Sequence, residues 1–295
     1  MRWLVTGAAG MLGADLVEVL AEAGEHQVTA LRRQALDITD AAAVRAAVPG
    51  HDVVINAAAW TDVDGAEAQE EAATAVNGYA VDTLARACAD AGTRLVQVST
   101  DYVLPGDGTS PYPEDAATAP VNAYGRGKLR GEQAVLGALP GTGYVVRTAW
   151  LYGAHGRNFV STMLRLAAER DTVDVVDDQQ GQPTWSYALA GQLVALGRAA
   201  HLGRAPAGIY HATSAGATTW YGLARAVFEE AGLDPGRVRP TTSDRFPRPA
   251  PRPAYSVLGH ARWTAAGIPP LPDWRGMLAS ALPQLAAALP GRSRA

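Results

Sequence analysis

The sequence predicts an α/β fold built on a doubly wound parallel sheet, with a smaller C-terminal domain beside it. Three observations carry this expectation. Short apolar runs alternate with alanine-rich helical stretches through the first half of the chain, a glycine-rich turn follows the first run directly, and the alternation fades after about residue 155. The runs span 3–6, 28–31, 53–56, 95–99 and 144–149, and are short and β-branched enough to read as strands of a sheet covered on both faces. Each is followed by a turn or polar residue, in order Gly7, Arg32, Ala57, Thr100 and Trp150. Ligands of open α/β sheets sit beyond the carboxyl ends of the strands, so these positions are expected to converge on one crevice.

Beyond residue 155 the pattern gives a helix over 158–170, an apolar run at 173–176, a polar segment at 178–184, and one more strand at 208–211 that is expected to return to the first sheet. The resulting division is 1–155 plus about 185–215 for the nucleotide-binding domain, and about 156–184 plus 216–295 for a substrate-binding domain. Pro247, Pro249, Pro251 and Pro253 alternate within 235–255, which favours extended polyproline-like backbone, so this segment reads as a loop. Residues 291–295 read as a frayed tail.

Composition excludes several classes. With 48% hydrophobic and 18% charged residues over 295 positions, the chain is ordinary globular protein rather than disordered or fibrous. A net charge of -4 with dispersed arginines gives no basic stripe for nucleic acid. No apolar stretch reaches membrane-spanning length, and Gly7, Gly10, Gly13, Asp15 and Glu18 break the resemblance of the first residues to a signal peptide. A cytoplasmic location is the expectation. The one cysteine, Cys88, excludes an internal disulfide and reads as a small buried hydrophobe. His26, His51, His155, His201, His211 and His260 show no ligand spacing, so no metal is expected.

The segment 4–13 runs from strand through Gly7, Gly10 and Gly13, with G-x-x-G-x-x-G spacing, into a helix expected over 11–23. Glycines there let the backbone approach a pyrophosphate, which then rests on the N–H groups of the helix start. This marks a Rossmann-type dinucleotide site. The second strand ends in Arg32 and Arg33 with no acid, which favours the 2′-phosphate of NADP(H) over NAD(H), with NADH as the alternative. Asp37 and Ile38 lie just beyond and are expected to flank the adenine.

Of 25 lysines and arginines only Lys128 is lysine, and it stands four residues after Tyr124. Residues at i and i+4 share a helical face. An ammonium is a compact point charge, and held there it is expected to pull the tyrosine pKa down from about 10 towards the range of a working proton donor.

These residues resemble the extended short-chain dehydrogenase/reductases, and within them the dTDP-4-dehydrorhamnose reductase family. The resemblance spans nearly the whole chain: T-G-x-x-G-x-L-G at 6–13, N-A-A-A-x-T-x-V-D at 56–64, S-T-D-Y-V at 99–103, P-x-N-x-Y-G-x-x-K-x-x-G-E at 120–132, R-T-x-W at 147–150, N-F-V at 158–160 and D-Q-x-G-x-P-T at 178–184. It implies a catalytic set of Thr100, Tyr124 and Lys128, and sugar-nucleotide contacts from Thr100, Asp101 and Trp150. It also implies cofactor contacts near Met11, Leu12, Asp37, Ile38, Ala57, Ala58 and Ala59, with Tyr124 and Lys128 at the nicotinamide end. The implied reaction is NAD(P)H-dependent reduction of the C4 ketone of a dTDP-4-keto-6-deoxysugar, with a homodimer as a further expectation.

Two positions depart from the family pattern. Leu104-Pro105 stands where an aromatic residue is usual, and Gly127 replaces a hydroxyl residue before the lysine. Both bear on substrate fit, so a deoxysugar other than rhamnose stays open. A sugar-nucleotide 4,6-dehydratase typically carries T-D-E, but Tyr102 fills the glutamate position here. An epimerase, or a noncatalytic regulatory subunit like that of methionine adenosyltransferase, are the other readings. Arg252 in the proline-rich loop is within the chemistry of a bidentate diphosphate contact, but its default reading is a solvated side chain.

Overall fold

A computed structural model of the protein describes residues 1–24 and 27–288; His26 and the tail expected at 291–295 lie outside the described residues. Strand β1 (Arg2–Thr6) leads through the glycine turn into helix α1 (Met11–Glu22), followed by β2 (Gln27–Leu31), α2 (Ala41–Ala47) and β3 (Val53–Asn56). Helices α3 (Val63–Ala68), α4 (Glu70–Thr74) and α5 (Ala80–Ala91) precede β4 (Arg94–Thr100), and α6 (Ala123–Ala138) precedes β5 (Gly143–Thr148). Then come β6 (Leu151–Tyr152), α7 (Phe159–Glu169), β7 (Val173–Val176), β8 (Gln180–Gly181), β9 (Thr184–Trp185), α8 (Ser186–His201) and β10 (Gly208–His211). The chain closes with β11 (Thr218–Thr219), α9 (Trp220–Glu230), β12 (Val238–Thr241), α10 (Ala261–Ala265) and α11 (Trp274–Ala287).

Six strands form one sheet in the order β10-β5-β4-β3-β1-β2, with every neighbouring pair parallel. The expected return of 208–211 to the first sheet is therefore observed, at its edge beside β5. Successive residues of a strand point to opposite faces, and the packing follows that period. Trp3, Val5, Val53, Ile55, Val96 and Val146 bury on the side covered by α1 and α8. Leu4, Val54, Leu95 and Val145 bury on the other, against Val44, Leu84, Cys88 and Val135. Cys88 is buried as expected, and burial pushes its thiol up to about 12.

The strand order reverses between β1 and β3, the point at which open α/β sheets take their ligands beyond the carboxyl ends of the strands. A third core lies apart from the sheet: Val160, Met163, Val173, Val175, Leu223, Val227, Phe228 and Leu278 pack α7, α9 and α11 around β7.

The loop expected over 235–255 needs correction. Val238–Thr241 is a strand, pairing in parallel with β7. Pro240 does not prevent this, because the sheet has two strands and a proline without an N–H is tolerated where one side of a strand is unpaired. No helix among the described residues is long and apolar enough to cross a membrane.

Candidate active site

The glycine turn is shaped by contacts that admit no side chain. Gly7 has φ +67°, and a Cβ on it would meet Ala58 N at 2.6 Å and the Ala57 carbonyl carbon at 2.7 Å. A Cβ on Gly13 would lie 2.1 Å from Gly7 O, so the start of α1 packs directly onto the turn. Gly10 is the N-cap of α1 and offers no capping side chain, so the first helical N–H groups need another acceptor. That is the environment a pyrophosphate fits, and the residues present fit a dinucleotide. Met11 is partly buried there, whereas Leu12 is buried in the core below.

Sequence-distant cofactor candidates meet at this turn. The Ala57 N–H donates to Thr6 O at 3.3 Å, and the Ala8 N–H donates to Leu31 O at 3.1 Å, immediately before Arg32. Ala57, Ala58 and Ala59 are partly buried beside it. Arg32 and Arg33 are exposed at the end of β2, and Arg33 lies 3.5 Å from Asp37. The Asp37 carboxyl sits below the ordinary range, chiefly through hydrogen bonds from Thr39 and less through Arg33. Ile38 is packed into the second core face.

The catalytic candidates assemble where β4 ends and α6 begins. Thr100 donates to Asp101 Oδ1 at 2.9 Å and accepts the Tyr102 N–H at 3.2 Å, which starts a short 3-10 turn. Burial pushes the Asp101 carboxyl up to about 6, against hydrogen bonds from Ser256 and Thr100 that pull it down. Tyr124 stands in the first turn of α6, with its ring edge-on to Tyr102 at 6.0 Å and 85°. Lys128 is buried one turn on, and its Nζ donates to the Val98 carbonyl at 2.6 Å.

This arrangement corrects the expected electrostatics. The Tyr124 phenol is pushed up rather than pulled down, first by burial and then by Asp101, with the Thr100 hydroxyl acting the other way. The lysine is instead directed at the β4 backbone, and burial lowers it to about 8 despite Glu132. The consequence is a phenol that holds its proton at neutral pH.

A buried ion pair fixes α6 on the sheet. Arg147 and Glu132 are 1% and 2% exposed and meet at 2.8 Å. Ser99 donates to Glu132 at 2.5 Å, and Arg147 reaches His211 Nε2 at 3.4 Å. Ser99, Arg147 and His211 lie side by side on β4, β5 and β10, so two strand ends hold one helical carboxylate and the third backs the arginine. Burial and the neighbouring guanidinium lower His211 to about 3, which keeps it neutral.

Beside the site lies a cavity of about 640 Å³, within the usual size of a small-molecule pocket. Tyr102, Phe159 and Trp220 give it apolar walls, and Gln179, Arg248 and Arg252 give it polar ones. Trp150 is not on that wall but stacks on Trp220 at 3.6 Å and 9°. Its backbone is left-handed at φ 47°, costly for a bulky residue by about 1–3 kcal/mol. Gly181 makes room for the ring, since a Cβ there would lie 2.5 Å from Trp150 Cε2.

Arg252 is not a solvated side chain: it is 19% exposed and pairs with Asp64 at 3.0 Å. Sequence reasoning also passed over Trp220 and Phe159 as wall residues, although Phe159 lies inside one of the motifs singled out. Of the two departures from the family pattern, Leu104 is buried in a small cluster with Val103 and Leu258. Gly127 packs on α4, where a Cβ would lie 3.3 Å from Thr74 Oγ1.

The family model described as the RmlD substrate binding domain matches residues 1–287. The chain belongs to the dTDP-4-dehydrorhamnose reductase family. A family member from Streptomyces griseus, named dTDP-4-dehydrorhamnose reductase, is 58% identical over 286 residues, covering 96% of this chain and 94% of that one. A dTDP-4-keto-6-deoxy-D-glucose reductase of Streptomyces niveus is 54% identical, covering 96% and 97%. Among solved structures, the family's enzyme from Bacillus anthracis in complex with NADP superposes with a TM-score of 0.90 at 35% identity, covering 96% of this chain and 99% of that one. The Rossmann-type reading of the fold stands on these relatives and on the observed sheet.

Proposed function

We propose that the chain reduces the C4 ketone of a dTDP-4-keto-6-deoxysugar with NADPH, most simply dTDP-4-dehydrorhamnose to dTDP-L-rhamnose, in a deoxysugar biosynthetic pathway. The observation that carries this reading is the place of Tyr124: a protonated phenol next to Thr100 and Asp101, its ring edge-on to Tyr102 of the cavity wall. Tyr124 donates a proton to the C4 oxygen, and the Thr100 hydroxyl hydrogen-bonds the same atom. The cofactor, when bound, supplies the hydride that reaches C4. Gly7, Gly10 and Gly13 with the start of α1 hold its pyrophosphate, and Lys128 its nicotinamide ribose. Asp101 and the Trp150–Trp220 stack orient the sugar nucleotide. Relatives named for reduction of two different dTDP-4-keto sugars support the reaction type and leave the sugar to experiment.

Elimination is disfavoured by Tyr102, whose phenol burial pushes up and which offers no carboxylate for water removal. A noncatalytic reading predicts no turnover of any such sugar. Following NADPH absorbance with a panel of dTDP-4-keto-6-deoxysugars separates the two, because consumption with one or more supports reduction and consumption with none refutes it.

The cofactor assignment has its own test. Arg32 and Arg33 stand exposed where the second strand ends, with no carboxylate following directly to accept a ribose hydroxyl. Replacing both with alanine should weaken NADPH by about one to two decades, the value of a charge-assisted contact to phosphate, and NADH far less. Equal losses for both cofactors, measured by titration, would remove these arginines from cofactor selection.

A further inference from the structure

Asn122 is fully buried at the start of α6, and both ends of its amide are in use. Its Oδ1 accepts the Gly125 N–H at 2.8 Å, capping the helix that carries Tyr124 and Lys128. Its Nδ2 donates to the Pro251 carbonyl at 3.0 Å. Pro251 belongs to the proline-rich strap over 247–254, whose Arg248 and Arg252 line the cavity.

A second hold on the strap comes from α3. Asp64 Oδ1 takes Arg252 at 3.0 Å and the Ala250 N–H at 3.3 Å, and its Oδ2 lies 3.6 Å from Arg248. That helix is tied to the same helix start, because the Ala123 N–H donates to Glu67 Oε1 at 2.8 Å.

Capping alone does not call for asparagine here, since serine, threonine and aspartate cap as well or nearly so. A serine or threonine hydroxyl also accepts and donates, but from one oxygen on a shorter arm, whereas the amide puts its acceptor and its donor on two atoms and so reaches the helix N–H and the strap carbonyl at once. Alternating prolines also stiffen the strap, so a displacement at the cavity wall reaches Pro251 instead of being absorbed between them.

We propose that Asn122 is a positioning residue, through which the strap that walls the cavity sets the place of the helix carrying Tyr124. This rests on the reading of the cavity as the sugar-nucleotide site. Occupation of the wall by substrate is then felt at the proton donor and at Lys128 on the same helix, whereas the glycine turn that receives the cofactor's pyrophosphate lies outside the linkage.

Three variants test it: Asn122→Ser, which keeps a cap and loses the strap bond; Asn122→Ala, which loses both; and Asp64→Asn, which loosens the strap without touching the α6 cap. Steady-state kinetics with the sugar nucleotide, NADPH titration and thermal melting are measured for each. In Asn122→Ser, kcat/KM for the sugar nucleotide should fall about two- to tenfold, the reach of one lost hydrogen bond, with a smaller loss of NADPH affinity and with melting close to wild type. Asn122→Ala should show the same kinetic loss and a lower melting temperature. Asp64→Asn should lower kcat/KM in the same direction, and carries the test by itself if the Asn122 variants do not fold. Wild-type kinetics in Asn122→Ser, or losses that follow melting temperature across all three variants, would overturn the inference and leave Asn122 a cap. A wild-type enzyme that turns over no sugar nucleotide would instead refute the reading on which it rests.

Discussion

Replacing Tyr124 with phenylalanine is expected to lower kcat by about two to four decades, the usual contribution of a positioned general acid. The substitution removes one hydroxyl and keeps the ring, which stands edge-on to Tyr102, so the fold and NADPH binding should persist. Burial and the neighbouring Asp101 hold the phenol protonated, so it enters each turnover loaded with the proton that the new alcohol needs. Turnover by Tyr124→Phe within a few fold of wild type would mean that the proton comes from elsewhere.

The second large effect is on stability. Glu132→Ala should destabilise the protein by about 3–5 kcal/mol, because it strands the Arg147 guanidinium in the interior without its counter-charge. Arg147 is 1% exposed, and among the described residues the other group that its side chain reaches for a hydrogen bond is a neutral histidine at 3.4 Å. A folded domain is stable by about 5–15 kcal/mol in all, so the loss is a large share of that margin. It also frees α6 from Ser99 and Arg147 at two strand ends, so activity should fall at temperatures where the variant is still folded. Denaturant unfolding measures the change. A loss under about 1 kcal/mol would show that solvent or backbone groups replace the carboxylate.

Much of this was legible in the sequence, for local reasons. The runs 53–56 and 173–176 are strands with those same limits, because turn residues bound them closely. The glycine turn was legible because its spacing states a backbone need, and the structure meets it with a positive φ at Gly7. Tyr124 and Lys128 share a helix as their spacing implied, but the effect of the lysine on the phenol did not follow. Helical spacing fixes the face a side chain occupies and says nothing about what else waits there. The Val98 carbonyl takes the ammonium, and Asp101 supplies the charge that acts on the tyrosine.

Contacts between distant segments were not legible. Asp64 with Arg252, and Asn122 with Pro251, join residues from opposite halves of the chain through an ion pair and a hydrogen bond that leave no periodic trace. Proline content concealed β12, since one unpaired side is enough to accommodate Pro240.

The central claim is that Tyr124 and its neighbours serve reduction at C4 of a sugar nucleotide. The most direct measurement is isotope transfer: product made from a dTDP-4-keto-6-deoxysugar with NADPH deuterated at the reactive carbon of its nicotinamide, examined by mass spectrometry and proton NMR. The account predicts one deuterium per product molecule, located at C4 of the sugar, together with one oxidised cofactor. Product without deuterium, or with deuterium at any other carbon, would contradict it.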